Sequence, residues 1–434
     1  MNQYTITGKQ RIILLVMMAI GVVSMGLTFI GDDHYHTRFW TNLLHNGTFF
    51  TGISLMATFF IAVCITAWAG WSSGFKRVWE AMTAFLGPGL LIMLVIAIGT
   101  YLHWHHLYHW ADESILDPSN PEKLDKILYG KKGFLNKNVY LFGTIIVGLI
   151  WYFFRYKLRA LSIAEDSDPG HDFANHRLQR VYAAGFLPIV GFTSAFLIWQ
   201  WIMSLDSHWY STMFAWYTGA SWFVSMIALT IILLIYLKGK GYYENITGEH
   251  IHDLGKFLFG FSIFWTYLWF SQYMLIWYAN VGEETIYFRE RHDNYPVLFW
   301  GNLVMNFALP FLILMRNDTK RKFGSVSFVA ALVVFGHWWD FFQMIKPGAL
   351  HTAHEALAGH GHEGGHGHHE TVAHGVAEHG AAFTSGFTLP GFLEIGTAIG
   401  FLGLFLYVTF YALSKAALLP KNDPYLAESL HHHV

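Results

Sequence analysis

The chain has almost no cysteine and little charge, and each shortage excludes some chemistry. Cys64 is the single cysteine in 434 residues. It rules out a disulfide within the chain, a c-type haem (no C-x-x-C-H is present) and an iron–sulfur cluster held by this chain alone. Charged residues make up 13% of the sequence, against roughly 25% in an ordinary soluble domain. The net charge of -2 gives no basis for binding nucleic acid. Proline and glycine are sparse inside the apolar runs, apart from Pro188 and Gly87-Pro88-Gly89, so the broken helices of a transporter have little support. No cleavable signal is evident, because the first apolar run follows a short polar start with no obvious small-residue cleavage site.

Hydrophobic residues, in contrast, reach 54%. They form ten runs at about 11–30, 47–70, 78–102, 138–158, 181–204, 213–238, 255–281, 294–315, 322–345 and 390–414. Each is close to the ~20 residues that cross a bilayer core. Backbone groups in lipid must be satisfied internally, which selects helices, and the runs are apolar nearly all round. The expected fold is an all-α integral membrane protein with about ten transmembrane helices. Aromatics reach 18%, many near run ends (Trp40, Trp104, Trp110, Trp209, Tyr210, Trp338, Trp339), as an interfacial belt requires.

Lys and Arg predict the orientation. Eighteen of the 27 fall on the side that would hold both termini, and five of the other nine lie in the single 103–137 connection. The positive-inside rule puts both termini in the cytoplasm, with the opposite side facing the periplasm of a bacterial inner membrane.

The chain reads as a polytopic domain over 1–415 and a cytoplasmic tail over 416–434. Two long periplasmic loops are expected, 103–137 and 346–389. The second holds nine histidines among Gly, Ala and Glu, a composition that cannot bury a core, so it is expected to be mobile. Imidazole suits Zn, Cu and Ni, but regular ligand spacing is lacking and no metal site is assigned. The terminal histidines 431–433 carry no assignment.

A repeat is also suggested. Ser204-Leu205-Asp206-Ser207-His208-Trp209-Tyr210 ends the fifth run, and Gly336-His337-Trp338-Trp339-Asp340-Phe341-Phe342 ends the ninth. Both combine an aspartate, a histidine and aromatics on the same side and at the same expected depth. Helices 2–5 and 6–9 would then be two four-helix bundles, flanked by helices 1 and 10.

Ionisable groups beside membrane helices are candidates for function by default. On the expected outer side these are His103, His105, His106 and His109, then Asp206, His208, Glu283, Glu284, His337, Asp340 and Glu394. Near the inner face only Glu80 and Lys256 stand clearly within helix ends. His105 and His109 have the i, i+4 spacing of helical metal ligands, which a solvated rim shows equally. Asp206 fits a bridge to His208 or a cap on the next helix, and Glu283-Glu284 fits a solvated turn. A carboxylate paired with imidazole near an aromatic cleft is able to take a proton from a bound hydroxyl and pass it to water. Asp206, His208, His337, Asp340 and Glu394 are expected to line one cavity as such a relay.

At these residues the chain resembles a known family. Ser204–Trp209, Trp277-Tyr278-Ala279-Asn280-Val281-Gly282-Glu283-Glu284-Thr285, Gly336–Asp340 and Glu394 are similar to the NrfD-like membrane subunits of bacterial alternative complex III. The likeness is nearest to the second of the two such subunits, the F subunit, over roughly residues 10–415. It implies a subunit of a quinol:cytochrome c, or direct-to-oxidase, electron-transfer complex. Implied partners are membrane lipid, a sister NrfD-like subunit, iron–sulfur and multihaem cytochrome c subunits and a terminal oxidase. Haem c and iron–sulfur clusters belong to the partners. The resemblance implies no cofactor held by this chain itself, with menaquinone or another quinone as a ligand to be tested. The family's quinol-oxidising site is usually assigned to the sister subunit, so a proton path is the first expectation here and a quinone pocket the second. An ion or solute transporter with an outer-facing site and a non-catalytic scaffold are the alternatives.

Overall fold

Apolar runs this long have one economical solution, and the computed structural model, which describes residues 3–119, 124–167, 173–359 and 386–432, is all-α. Ten long helices follow in order. They are α1 (Gly8–Ile30), α2 (Thr37–Thr66), α3 (Lys76–Tyr101), α4 (Lys137–Glu165), α5 (Ala174–Trp201), α6 (Met213–Gly239), α7 (Gly248–Ala279), α8 (Pro296–Leu314), α9 (Phe323–Gly359) and α10 (Phe392–Leu413). Among the described residues, nine are long and apolar enough to cross a membrane. The other is α7, in which Trp265, Tyr267, Trp269, Tyr273, Trp277 and Tyr278 occupy places that aliphatic residues hold elsewhere.

Both chain ends lie on one side, where Gln3 pairs with Ala417. We call this the terminal side and the opposite one, with the 103–137 connection, the loop side. The segment after α10 is tied down there. Asp423 accepts from Lys76 and from Ser73 at 3.2 Å, Ser429 Oγ donates to Trp71 O at 2.7 Å, and His432 Nε2 meets Asp253 Oδ2 at 2.6 Å.

α2 and α6 form the centre, with 83% of their apolar windows buried against 22% in α1. Small and hydroxylated residues let them pack closely. Gly52 lies under the Trp222 ring, where a Cβ would overlap the indole. The hydroxyls of Thr48, Thr58, Ser225 and Thr230 donate to carbonyls one turn back, which satisfies them without water. α2 packs against α3, α5, α6 and α9, and further contacts join α3 to α4, α4 to α5, α6 to α7 and α9, α7 to α8, and α8 to α9. α1 and α10 pair with each other. Their backbones touch at Gly21 and Gly400, where an added Cβ would sit 2.4 Å from the facing Cα.

Several helix boundaries depart from expectation, and the shifts at α2 and α9 bear most on the site. α2 begins ten residues early, its first turn held by Asp33, which accepts from Thr37 N at 2.6 Å and Thr37 Oγ1 at 2.8 Å. Arg38, Asn42, His45 and Asn46 therefore sit inside a helix; their polarity hid the start of the run. α5 begins at Ala174, not 181. α9 continues past 345 to Gly359. The segment 346–359, expected as loop, is thus helical, and residues 360–385 of the histidine stretch lie outside the described residues. In α8 the turn Val304–Ala308 is a π-helix, a widened turn common at functional sites.

Candidate functional site

The longer α9 relocates Asp340. Expected in the last turns, it lies near the middle of the apolar segment Phe323–Ala353. It is fully buried and held by three other helices. Oδ1 accepts from Tyr217 of α6 and from Asn302 Nδ2 of α8 at 2.7 Å. Oδ2 accepts from Ser221 Oγ of α6 at 2.7 Å and from Trp265 Nε1 of α7 at 3.2 Å. Every partner donates, which matches an ionised carboxylate, an acceptor only. A protonated Asp340 must donate instead, and the Tyr217 and Ser221 hydroxyls are the partners able to turn and accept. Asn302 is itself braced by Asn306 Nδ2 at 2.6 Å, across the start of the π turn.

His337 does not complete this cage as expected. Its Nδ1 stands 3.9 Å from Asp340 Oδ2, beyond hydrogen-bond length, and neither ring nitrogen has a hydrogen-bond partner among the described residues. Buried polar atoms are rarely left so, and an ordered water is the usual remedy.

Tyr217 and Ser221 lie in the second and third turns of α6, so at 1.5 Å per residue the carboxylate is roughly 6–12 Å below the loop-side end of that helix. Towards the loop side the lining mixes polar with aromatic and aliphatic residues. Tyr217 lines a cavity of about 10 Å³, room for about one water, with Gln272, Tyr287, Arg291, Gln343 and Met344. Gln272 Nε2 and Gln343 Oε1 are buried there without a hydrogen-bond partner among the described residues. Tyr287 also lines a second cavity of about 70 Å³ towards the loop side, shared with Asp206, His208, Glu283, Glu290 and His351.

Arg291 sits between the two cavities. It belongs to the short helix Gly282–Asn294 and is buried, its guanidinium 3.5 Å from the centre of the Tyr287 ring. Nη2 donates to Asp206 Oδ2 at 2.8 Å, and other nitrogens donate to the carbonyls of Gln343 and Tyr287. Burial works against its charge, but Asp206 beside it holds the guanidinium above its ordinary range. Burial also pushes the Glu290 carboxyl up, against the pull of Arg291.

The expected residues thus occupy three places, not one cavity. Asp206, His208 and Glu283 share the loop-side cavity. Asp340 and His337 lie deeper. Glu394 belongs to a separate buried cluster, where it accepts from Arg38 at 2.7 and 2.9 Å, from Asn42 Nδ2 at 3.2 Å and from Gly391 N at 3.0 Å. Lys346, expected in a loop, is fully buried and donates to Asn42 Oδ1 at 2.6 Å. Glu284 lines neither cavity. Asp206 pairs with Arg291 and not with His208, whose Nε2 meets Asp125 Oδ2 at 2.5 Å. The two suggested repeat elements differ in depth, because Asp206 follows the end of α5 whereas Asp340 is mid-helix.

Sequence reasoning missed Arg291, Tyr217, Arg38, Asn42 and Lys346. Most were visible as polar interruptions of apolar runs, but their partners lie far away in sequence. It also missed the terminal-side ion cluster in which Arg77 meets Glu80 at 2.8 Å and Asp166 at 2.6 Å. His105 and His109 are not on one helix, since 103–108 is non-helical; His105 is buried against Ile96 O at 3.2 Å. No family model matches the chain, and no curated protein is significantly similar to it.

Proposed function

We propose that the chain is an NrfD-like integral membrane subunit of a quinol:electron-acceptor oxidoreductase complex, with cytochrome c or an oxidase as acceptor, and that it provides a proton path on its loop side. The observation that carries this reading is the buried Asp340, hydrogen-bonded to Tyr217, which lines the small cavity together with Arg291, while Arg291 pairs with Asp206 of the loop-side cavity. A membrane-buried carboxylate is costly unless it is used, and this one has hydroxyl partners able to exchange a proton with water. Asp340 takes up a proton released on quinol oxidation and hands it to the Tyr217 oxygen as the Tyr217 hydroxyl turns and gives its own proton to water beside Gln272 and Gln343, and the Asp206–Glu290 region releases a proton outward.

The helix contacts support two four-helix bundles, because α2–α3–α4–α5–α2 and α6–α7–α8–α9–α6 each close into a ring. The distribution of Lys and Arg supports a bacterial inner membrane with cytoplasmic termini and the loop side in the periplasm. Haem c and iron–sulfur partners, a sister subunit and a quinone remain part of the proposal through the family resemblance. An open hollow of about 660 Å³ on α7, lined by Lys256, Phe257, Gly260, Phe261 and Phe264, holds none of the candidate acids and is not assigned to quinone.

Purification of the chain from native membrane tests this assignment. Haem c and iron–sulfur absorption co-purifying in fixed ratio is the expected result. A colourless chain isolated alone and intact contradicts it.

A further inference from the structure

Two connections distant in sequence meet on the loop side and bring together metal-ligating side chains. His109 and Asp125 come from the 103–137 connection and His208 from the turn after α5. One ligand atom from each lies within 4.8 Å of the others. The His109 and His208 rings are 5.8 Å apart between centres. We propose that His109, Asp125 and His208 bind one divalent transition-metal ion of the zinc, copper and nickel class.

The donor set selects the class. Two imidazoles and one carboxylate suit borderline ions and not calcium or magnesium, which take oxygen ligands. Three protein ligands leave a position for water, as open zinc sites do. Ligands at ~2.0–2.1 Å from a tetrahedral ion stand roughly 3.3 Å from one another, so the ion replaces the His208–Asp125 hydrogen bond, which opens from 2.5 Å, and the three ligand atoms settle within the 4.8 Å they already span.

The surroundings hold the ligands in place. Asp125 Oδ1 is occupied by Ile127 N at 2.9 Å and Leu128 N at 3.0 Å, which fixes the carboxylate and leaves Oδ2 facing His208. Lys131 Nζ donates to the carbonyls of Ser207 at 2.8 Å and His208 at 3.1 Å, tying the turn to the 126–131 helix. Trp209, next along, stacks on Tyr287 at 4.0 Å. Such outer partners orient metal ligands in known sites. His109 and His208 also line the loop-side cavity of about 70 Å³, which gives water room to complete the coordination, and Glu283 lines the same cavity. The ion would bridge the two connections over the mouth of that cavity.

Binding is read directly and does not depend on the proposed function. Full-length protein, stripped with chelator, is titrated with Zn(II) against a chromogenic competitor. The variants are His109→Gln, His208→Gln and Asp125→Asn, the last of which keeps the helix cap because Asn serves there as well. Each is expected to lose one tight equivalent per chain, weakened by more than the ~10–100-fold that loss of an outer-shell partner costs. Wild-type stoichiometry and affinity in all three overturns the site. The histidines at 360, 362, 366, 368, 369, 374 and 379 offer competing ligands, so a chain with these changed to Gln is titrated too. It should retain one equivalent, and with Cu(II) its resonance should show two imidazole nitrogens. Retention of none overturns the proposal even if a site variant misfolds.

Discussion

Arg291 reaches Asp206 across 85 positions of sequence, at 2.8 Å, with only 1% of its own side chain exposed. This pair joins the short helix Gly282–Asn294 to the turn after α5, and Asp206 also lies against α9 at Gly348. Removing one partner of a buried pair leaves an uncompensated charge and costs roughly 3–5 kcal/mol. Asp206→Ala should therefore lower the thermal midpoint in detergent clearly, while Asp206→Ala with Arg291→Met should recover much of the loss. Equal loss in the single and double variants would show that the pair's charge is not what holds the turn.

The contact of α1 with α10 depends on having no side chain at two positions. Gly400→Leu should separate these helices and destabilise the protein by several kcal/mol, since backbone, which cannot move aside, occupies the space. Gly26→Ala, with open space around it, should be nearly silent. Thermal unfolding of the two variants side by side checks this.

His105 gives a pH signature outside the membrane spans. Burial lowers its pKa from 6.5 to about 4, against the opposing hydrogen bond to Ile96 O. The folded state therefore binds this proton less readily than the unfolded one. Stability from the group is complete above pH 6.5 and is lost as pH falls from there through about 4. The full loss is of order 3 kcal/mol. His105→Gln should flatten the fall in thermal midpoint between pH 7 and 4.5. A variant with the wild-type slope contradicts this.

Orientation follows from Lys and Arg and is tested by labelling. Ser119→Cys is on an exposed loop-side segment and Glu244→Cys on an exposed terminal-side turn, while native Cys64 is buried. An impermeant thiol reagent applied to right-side-out vesicles should label position 119 and spare 244. Reversed labelling would put the proton exit on the wrong side.

The helices were legible because a bilayer demands long apolar runs, and their composition is averaged over ~20 residues. The ends were less so. Asn42 and His45 read as the close of a loop because their burial depends on Lys346 and Trp338, about 300 positions away. Asp340 was legible as a carboxylate beside aromatics, but its depth depended on α9 running through Pro347 to Gly359. The pairing of Asp206 was not legible at all. Nothing local distinguishes the nearby His208 from Arg291, and only tertiary packing brings the latter in.

The most direct test of the account is the turnover of Asp340→Asn in the proposed complex, with proton release followed from pH 6 to 8. The substitution keeps the size of the side chain and removes the titrating acceptor. The account predicts normal assembly with quinol oxidation or proton release reduced, by up to ~10²–10⁴-fold if the carboxylate acts directly. Glu394→Gln, in its separate cluster with Arg38, should affect stability more than turnover. If Asp340→Asn assembles normally and keeps wild-type turnover and proton release across that range, the proton path through Asp340 is contradicted, and the chain is better described as a scaffold.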